Sequence, residues 1–67
     1  MKELIEQTIE IYNNYDGKLN YTDYNHIVAY LNEKGYVLVD ANIYTDDFIQ
    51  YVLSVADYYL KEGFIEE

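Results

Sequence analysis

Apolar residues recur at helical spacing in three stretches of this 67-residue chain, and this periodicity is the strongest constraint on its fold. The first stretch predicts a helix over residues 2–14. The second predicts a helix over residues 23–34, with Thr22 as its N-cap. The third begins after Thr45 and ends at Gly63, since glycine closes helices readily. The spacing therefore predicts a mainly α fold, a small three-helix domain.

Each predicted helix has one apolar and one polar face at 100° per residue. The apolar residues of the first are Leu4, Ile5, Thr8, Ile9, Ile11, Tyr12 and Tyr15. Those of the second are Tyr24, Ile27, Val28 and Leu31, and those of the third are Phe48, Ile49, Val52, Leu53, Val55, Ala56, Tyr59 and Leu60. Residues 36–43, between the second and third helices, are rich in β-branched and aromatic types, which predicts a short extended segment. A minimal β-bridge in this segment is an open alternative. We expect the tail from Ile65 to fray.

The shortness of the chain limits its architecture. A chain of this size buries only about 60% of the surface that it exposes when unfolded, so we expect one domain over residues 1–67 with marginal stability. The broad apolar face of the third helix would also suit a homodimer, and this alternative stays open. Acids near the start of the chain and the shortness of its apolar runs argue against a signal peptide and a membrane span. A soluble, cytoplasmic protein is expected.

Residues 12–24 and 36–48 repeat one pattern of residue types. In the first stretch the pattern is Asp-Gly-x-Leu-x-x-x-Asp-aromatic, which resembles the second half of an EF-hand loop and its exiting helix. The duplicated loop–helix arrangement is also similar to dockerin modules. The resemblance implies an antiparallel bridge between Leu19 and Ile43. It also implies a weak calcium site in the first loop, with the candidate ligands Asn14, Asp16, Asn20 and Asp23.

A plainer interpretation of the same residues stays open. Asp16 and Gly17 then form a turn, Asp23 interacts with a helix dipole, and Leu19 and Ile43 are buried. The second loop has Leu38 where the resemblance requires an oxygen ligand, so we expect no calcium there.

The charge of the chain is strongly one-sided. Thirteen Asp and Glu residues stand against four Lys and no Arg, which gives a formal net charge of -9. Direct binding to nucleic acid or to an anionic membrane is disfavoured, because phosphate attraction needs clustered basic residues. Disulfides and thiolate metal sites are excluded by the lack of cysteine. His26 is the only imidazole, and no activated nucleophile or phosphate-binding loop is present, so we expect neither an enzyme nor a cofactor.

Two rows of residues suit the binding of a basic partner. Glu3, Glu6 and Glu10 share one face of the first helix, about 4.5 and 6 Å apart along its axis, broadly like phosphates on a nucleic-acid strand. On the third helix, an outward face combines carboxylates with aromatic rings. Its candidate contact residues are Asp47, Tyr51, Asp57 and Tyr58.

Two functions follow from these patterns. The first is an acidic inhibitor that blocks the basic nucleic-acid-binding surface of another protein. In composition the chain resembles small acidic proteins of phages and mobile elements, such as anti-CRISPR proteins. The alternative is a docking module of degenerate EF-hand or dockerin type, whose association would depend much less on salt.

Overall fold

Three helices form the fold in a computed structural model, which describes residues 1–15, 18–38 and 43–65. They are α1 (Lys2–Asn14), α2 (Tyr21–Lys34) and α3 (Asp46–Lys61), and each packs against the other two. No strand occurs within the described residues. The predicted mainly α, three-helix fold is thus confirmed.

Helix α1 has the predicted bounds, but its apolar face is only partly covered. Ile5 and Thr8 are buried, as the periodicity predicts. Ile11 is 40% exposed and Tyr15 is 62% exposed, although both belong to the predicted apolar face. The apolar arc of α1 is wider than the surface that α2 and α3 cover, and the last turn of the helix keeps apolar residues in solvent.

Helix α2 begins two residues earlier than predicted, and Thr22 is not its N-cap. Asn20 is the cap: its Oδ1 accepts hydrogen bonds from the backbone N–H groups of Thr22 at 3.0 Å and of Asp23 at 3.3 Å. Asn caps a helix as well as Ser or Thr does, and the extended backbone of Asn20 aims its side chain at the first turn. The choice between two good caps so close together depends on backbone geometry rather than on residue type.

The ends of α2 and α3 are closed by glycine, as predicted. Gly35 has φ 77° and Gly63 has φ 82°, the left-handed conformation that glycine adopts without strain. After each glycine, the next N–H turns back to a carbonyl of the last turn, Tyr36 to Leu31 and Phe64 to Tyr59, both at 2.9 Å. These are Schellman turns, and each reverses the chain towards the core.

The core surrounds α2. Its fully buried stripe is the predicted set of Tyr24, Ile27, Val28 and Leu31. Ile5 of α1 and Ile49, Val52, Leu53 and Ala56 of α3 pack around it. Two residues after helix ends complete the cluster, Val37 and Ile65. The prediction of a frayed tail is wrong for Ile65, which is 3% exposed because the turn at Gly63 directs it inward.

The connections differ from the expected repeat. Leu19 and Ile43 lie in irregular segments and form no bridge, so that pairing is wrong. Leu19 is partly buried against the core, whereas Ile43 is 38% exposed rather than buried. Residues 36–38 and Ile43 are not in a strand, and the rest of the predicted extended segment lies outside the described residues.

Candidate partner-binding surface

The acidic row of α1 is fully on the surface. Glu3, Glu6 and Glu10 are exposed, as predicted. In the part of the chain that the structure describes, the one ion pair joins Lys61 Nζ to Asp57 Oδ2 at 3.0 Å. The three glutamates therefore have no basic partner within the described residues.

A groove between α1 and α3 brings part of this row together with α3. Glu6 and Glu10 line it from α1, and Asp57 lines it from α3. We call it the acidic groove. Glu3 lies outside the groove. Lys2 and Lys61 also line it, so Asp57 contributes an ion-paired carboxylate, whereas Glu6 and Glu10 contribute unpaired ones.

The predicted aromatic residues of α3 lie beside this groove, further around the same helix. Tyr51 is 52% exposed and Tyr58 is 59% exposed, which confirms their outward orientation. They line a shallow depression whose other lining residues are Tyr36, Ser54, Val55 and Tyr59. We call this surface the tyrosine depression.

The acidic groove and the tyrosine depression form one continuous surface. A third concavity along α3 is lined by both Ser54 and Asp57. Ser54 also lines the tyrosine depression, and Asp57 also lines the acidic groove. A partner that crosses α3 at these two residues can contact both sides.

The rings around the depression are held by one another. Tyr36 stacks on Tyr59 with centroids 4.1 Å apart and an interplanar angle of 11°. The edge-to-face neighbours of Tyr59 are Tyr58 at 5.3 Å and Phe64 at 5.8 Å. The hydroxyl of Tyr36 donates to the carbonyl oxygen of Phe64 at 3.2 Å.

Sequence reasoning missed three members of this cluster. Tyr59 packs against the core, as the periodicity predicts, but it is only partly buried and also belongs to this cluster. Tyr36 belongs to the segment predicted to be extended. The stop at Gly63 predicts that Phe64 folds back on the last turn of α3, which the hydrogen bond from its N–H to the carbonyl of Tyr59 confirms, but it predicts no binding role. The glycine stops at Gly35 and Gly63 were the available signal, because a Schellman turn directs the residues that follow it back onto the helix.

Carboxylates stand at both ends of the tyrosine depression. Asp47 lies one helical turn before Tyr51, and Glu62 lies one turn after Tyr58. Both side chains are exposed. Asp46, by contrast, is engaged within the fold, because its Oδ1 accepts a hydrogen bond from the hydroxyl of Tyr12 at 3.3 Å.

The four candidate calcium ligands are spread over the end of α1, the segment that follows it and the start of α2. Asn14 ends α1, and Asp16 lies outside the described residues. The Oδ1 of Asn20 already accepts two backbone hydrogen bonds, and Asp23 lies in the first turn of α2. Over residues 1–15, 18–38 and 43–65, no group of three or more His, Cys, Asp or Glu side chains is arranged to hold a metal ion.

Among the described residues, Tyr24 is the group with a clearly shifted pKa, and its side chain is fully buried. Burial, with smaller contributions from Tyr44 and Tyr12, raises its pKa to about 12. A phenol with such a pKa keeps its proton at neutral pH, so it does not serve as a general base.

Comparisons of the chain with protein-family models, with curated proteins and with solved structures gave no match. Among the residues that the structure describes, none of the helices has the length and apolar content that a membrane span requires. The structure thus defines a small acidic three-helix domain with a mixed carboxylate and tyrosine surface.

Proposed function

We propose that this chain is an acidic protein-binding inhibitor, which blocks the basic nucleic-acid-binding surface of a partner protein. The observation that carries the proposal is a set of exposed carboxylates on α1 and at the start of α3 that form no ion pair with any residue the structure describes. These are Glu3, Glu6, Glu10 and Asp47. Basic surfaces that bind phosphate offer the complementary charge.

The acidic row disfavours the fold that carries it. Glu3 and Glu6 are three residues apart on α1, and Glu6 and Glu10 are four apart. Like charges at these spacings destabilise a helix by about 0.2–0.5 kcal/mol per pair. The last turn of α1 also has no basic residue to interact with its dipole. Glu3 lies in the first turn of α1, where a carboxylate interacts favourably with the helix dipole, but Glu6 and Glu10 lie beyond that turn and are better suited to an external partner.

The continuity of the surface supports binding rather than mere solubility. Carboxylates alone would serve solubility, but here they adjoin exposed Tyr51 and Tyr58 through Ser54 and Asp57. Tyrosine is enriched at the energetic centres of protein interfaces, with charged residues around them. Among functions of this kind, a cytoplasmic counter-defence inhibitor of phage or mobile-element type, such as an anti-CRISPR protein, fits the composition.

The test is capture from a bacterial lysate at low ionic strength, followed by elution with duplex DNA. We expect the captured proteins to be DNA- or RNA-binding proteins that duplex DNA releases, because both ligands would occupy the same basic surface. Capture should weaken steeply as NaCl rises.

Glu6→Lys and Glu33→Lys form a matched pair of variants. Both positions are exposed in helices, and each change raises the formal net charge by two, from -9 to -7. We expect Glu6→Lys to reduce capture at least about fivefold and Glu33→Lys less than about twofold, since only Glu6 lies on the proposed surface. Equal capture by both variants, or retention of captured proteins in excess DNA, would overturn the proposal.

The docking module remains the second candidate, and the exposed tyrosine depression is the observation in its favour. Apolar and aromatic contacts would then dominate association. The same NaCl series separates the two functions, because a docking module predicts capture that is nearly independent of salt.

A further inference from the structure

The tyrosine depression differs in charge from the rest of this acidic chain. Within the described residues, its lining consists of four tyrosines, a serine and a valine, with no carboxylate. The neighbouring groove between α1 and α3 contains three carboxylates. The depression therefore offers aromatic faces and hydroxyl oxygens instead of formal charge.

The depression is formed before any partner arrives. Tyr59 is fixed between the stacked ring of Tyr36 and the edges of Tyr58 and Phe64. The Tyr36 hydroxyl is fixed by its hydrogen bond to Phe64. Rings that are already ordered lose little conformational entropy on binding, which favours affinity.

The charges at the two ends of the tyrosine depression favour a cationic partner. Asp47 and Glu62 lie on the same side of α3, about 22 Å apart along the helix axis at 1.5 Å per residue. Neither is ion-paired in the part of the chain that the structure describes, and Lys61 is engaged by Asp57. A second copy of the chain would bring like charges together at these ends. A cationic segment would meet opposite charge at both.

We infer that the tyrosine depression binds arginine side chains of an arginine-rich segment lying along α3 between Asp47 and Glu62. Guanidinium is planar and weakly hydrated, so it stacks on tyrosine rings and donates to their hydroxyl oxygens. The ammonium of lysine is compact and strongly hydrated, so it gains less than guanidinium does from contact with the rings. This inference rests on the proposed function, because it names the side chain by which the basic partner is recognised.

Two synthetic peptides of equal length test the inference, one a glycine–arginine repeat and the other a glycine–lysine repeat. Affinities are measured by calorimetry at low salt, and the ring protons of Tyr51 and Tyr58 are followed by NMR. We expect the arginine peptide to bind about fivefold more tightly than the lysine peptide and to shift both sets of ring protons.

The double variant Tyr51→Leu/Tyr58→Leu removes two rings and keeps an apolar surface. We expect it to bind both peptides within about twofold of each other. Tyr15→Leu is the control, because Tyr15 is 62% exposed and does not line the depression. It should keep the preference for arginine. Circular dichroism verifies that each variant retains its helices.

Each unfavourable outcome has a separate meaning. Equal affinity of the unchanged chain for both peptides overturns the inference and leaves the charge-based function standing. A preference for arginine that survives in the double variant also overturns the site. Binding of neither peptide overturns the proposed function together with the inference. A dimer in sedimentation that Tyr51→Leu/Tyr58→Leu dissociates would assign the depression to a second copy instead.

Discussion

At the scale of single residues, Tyr24 is the most exceptional group in the fold. Its side chain is 0% exposed, and its hydroxyl has no hydrogen-bond partner within the described residues. The neighbouring Tyr44 is different, because its hydroxyl donates to Asn25 Oδ1 at 2.9 Å. A buried hydroxyl without a partner lowers stability, since it loses its water and gains nothing in exchange.

Replacing Tyr24 with Phe should therefore leave the free energy of unfolding unchanged or raise it by up to about 1 kcal/mol. Tyr44→Phe is the matched control, and it should lower the free energy of unfolding by about 0.5–1 kcal/mol because a hydrogen bond is lost. Urea unfolding at neutral pH measures both values. A loss larger than about 1 kcal/mol for Tyr24→Phe would show that the hydroxyl is satisfied, for example by a bound water.

The effect of Tyr24→Phe on the free energy of unfolding depends on pH. The pKa of Tyr24 is about 12 in the folded chain, against an ordinary value of 10.0. Above pH 10 the unfolded chain releases this proton while the folded chain keeps it. Stability therefore falls as the pH rises from 10 towards about 12. Phe has no such proton, so at about pH 11 Tyr24→Phe should gain about 1.4 kcal/mol relative to its effect near pH 8. An effect that is equal at both pH values would contradict the raised pKa.

At the scale of the elements, local chemistry decides where the helices end. Thr45 Oγ1 accepts from the N–H of Phe48 at 3.4 Å and caps α3, as the residue type predicts. At the start of α2, two candidate caps compete, and the one nearer the N-terminus is used. Thr22 is then a residue of the first turn, and its own N–H donates to Asn20.

Asn20→Ala should lower the free energy of unfolding by about 1 kcal/mol, because two N–H groups of the first turn lose their acceptor. Thr22→Ala should change it by less than about 0.5 kcal/mol, since Thr22 is exposed and its side chain does not cap the helix. Urea unfolding of both variants, with helix content from circular dichroism, compares them. A larger loss of stability for Thr22→Ala than for Asn20→Ala would show that Thr22 is the cap instead.

At the scale of the whole molecule, uncompensated charge opposes folding. The formal net charge is -9, and one ion pair, Lys61–Asp57, occurs within the described residues. That pair is on the surface, with exposed side-chain fractions of 72% and 40%, so it contributes little to stability. Repulsion among the carboxylates is therefore relieved mainly by dissolved ions or by a basic partner.

We expect added NaCl to stabilise the chain, by roughly 1 kcal/mol between low and moderately high ionic strength, because salt screens this repulsion. The triple variant Glu3→Gln/Glu6→Gln/Glu10→Gln should be more stable at low salt and should gain less from NaCl. Thermal melts at several NaCl concentrations measure both effects. Lower stability of the unchanged chain in NaCl would show that attractive charge pairs dominate instead.

Much of the candidate surface follows from helical periodicity. Tyr51 and Tyr58 fall on the outward face of α3 because the periodicity that buries Val52 also exposes them. The exposure of Glu6 and Glu10 follows in the same way. Periodicity does not reveal that Asp57 shares a groove with these glutamates, because that requires the packing of α1 against α3. The pairing of Lys61 with Asp57 is different, because it is an i, i+4 contact within α3 and follows from helical spacing alone.

The sequence by itself determined the three helices and their glycine stops, because periodicity, caps and turns act over only a few residues. It also determined the excess of negative charge. Tertiary structure decided how much of each apolar face is covered, leaving Tyr15 exposed and burying Ile65. It also brought the ring of Tyr36 into contact with that of Tyr59. Contacts between rings far apart in sequence depend on how the helices pack and on where the chain turns back at each helix end.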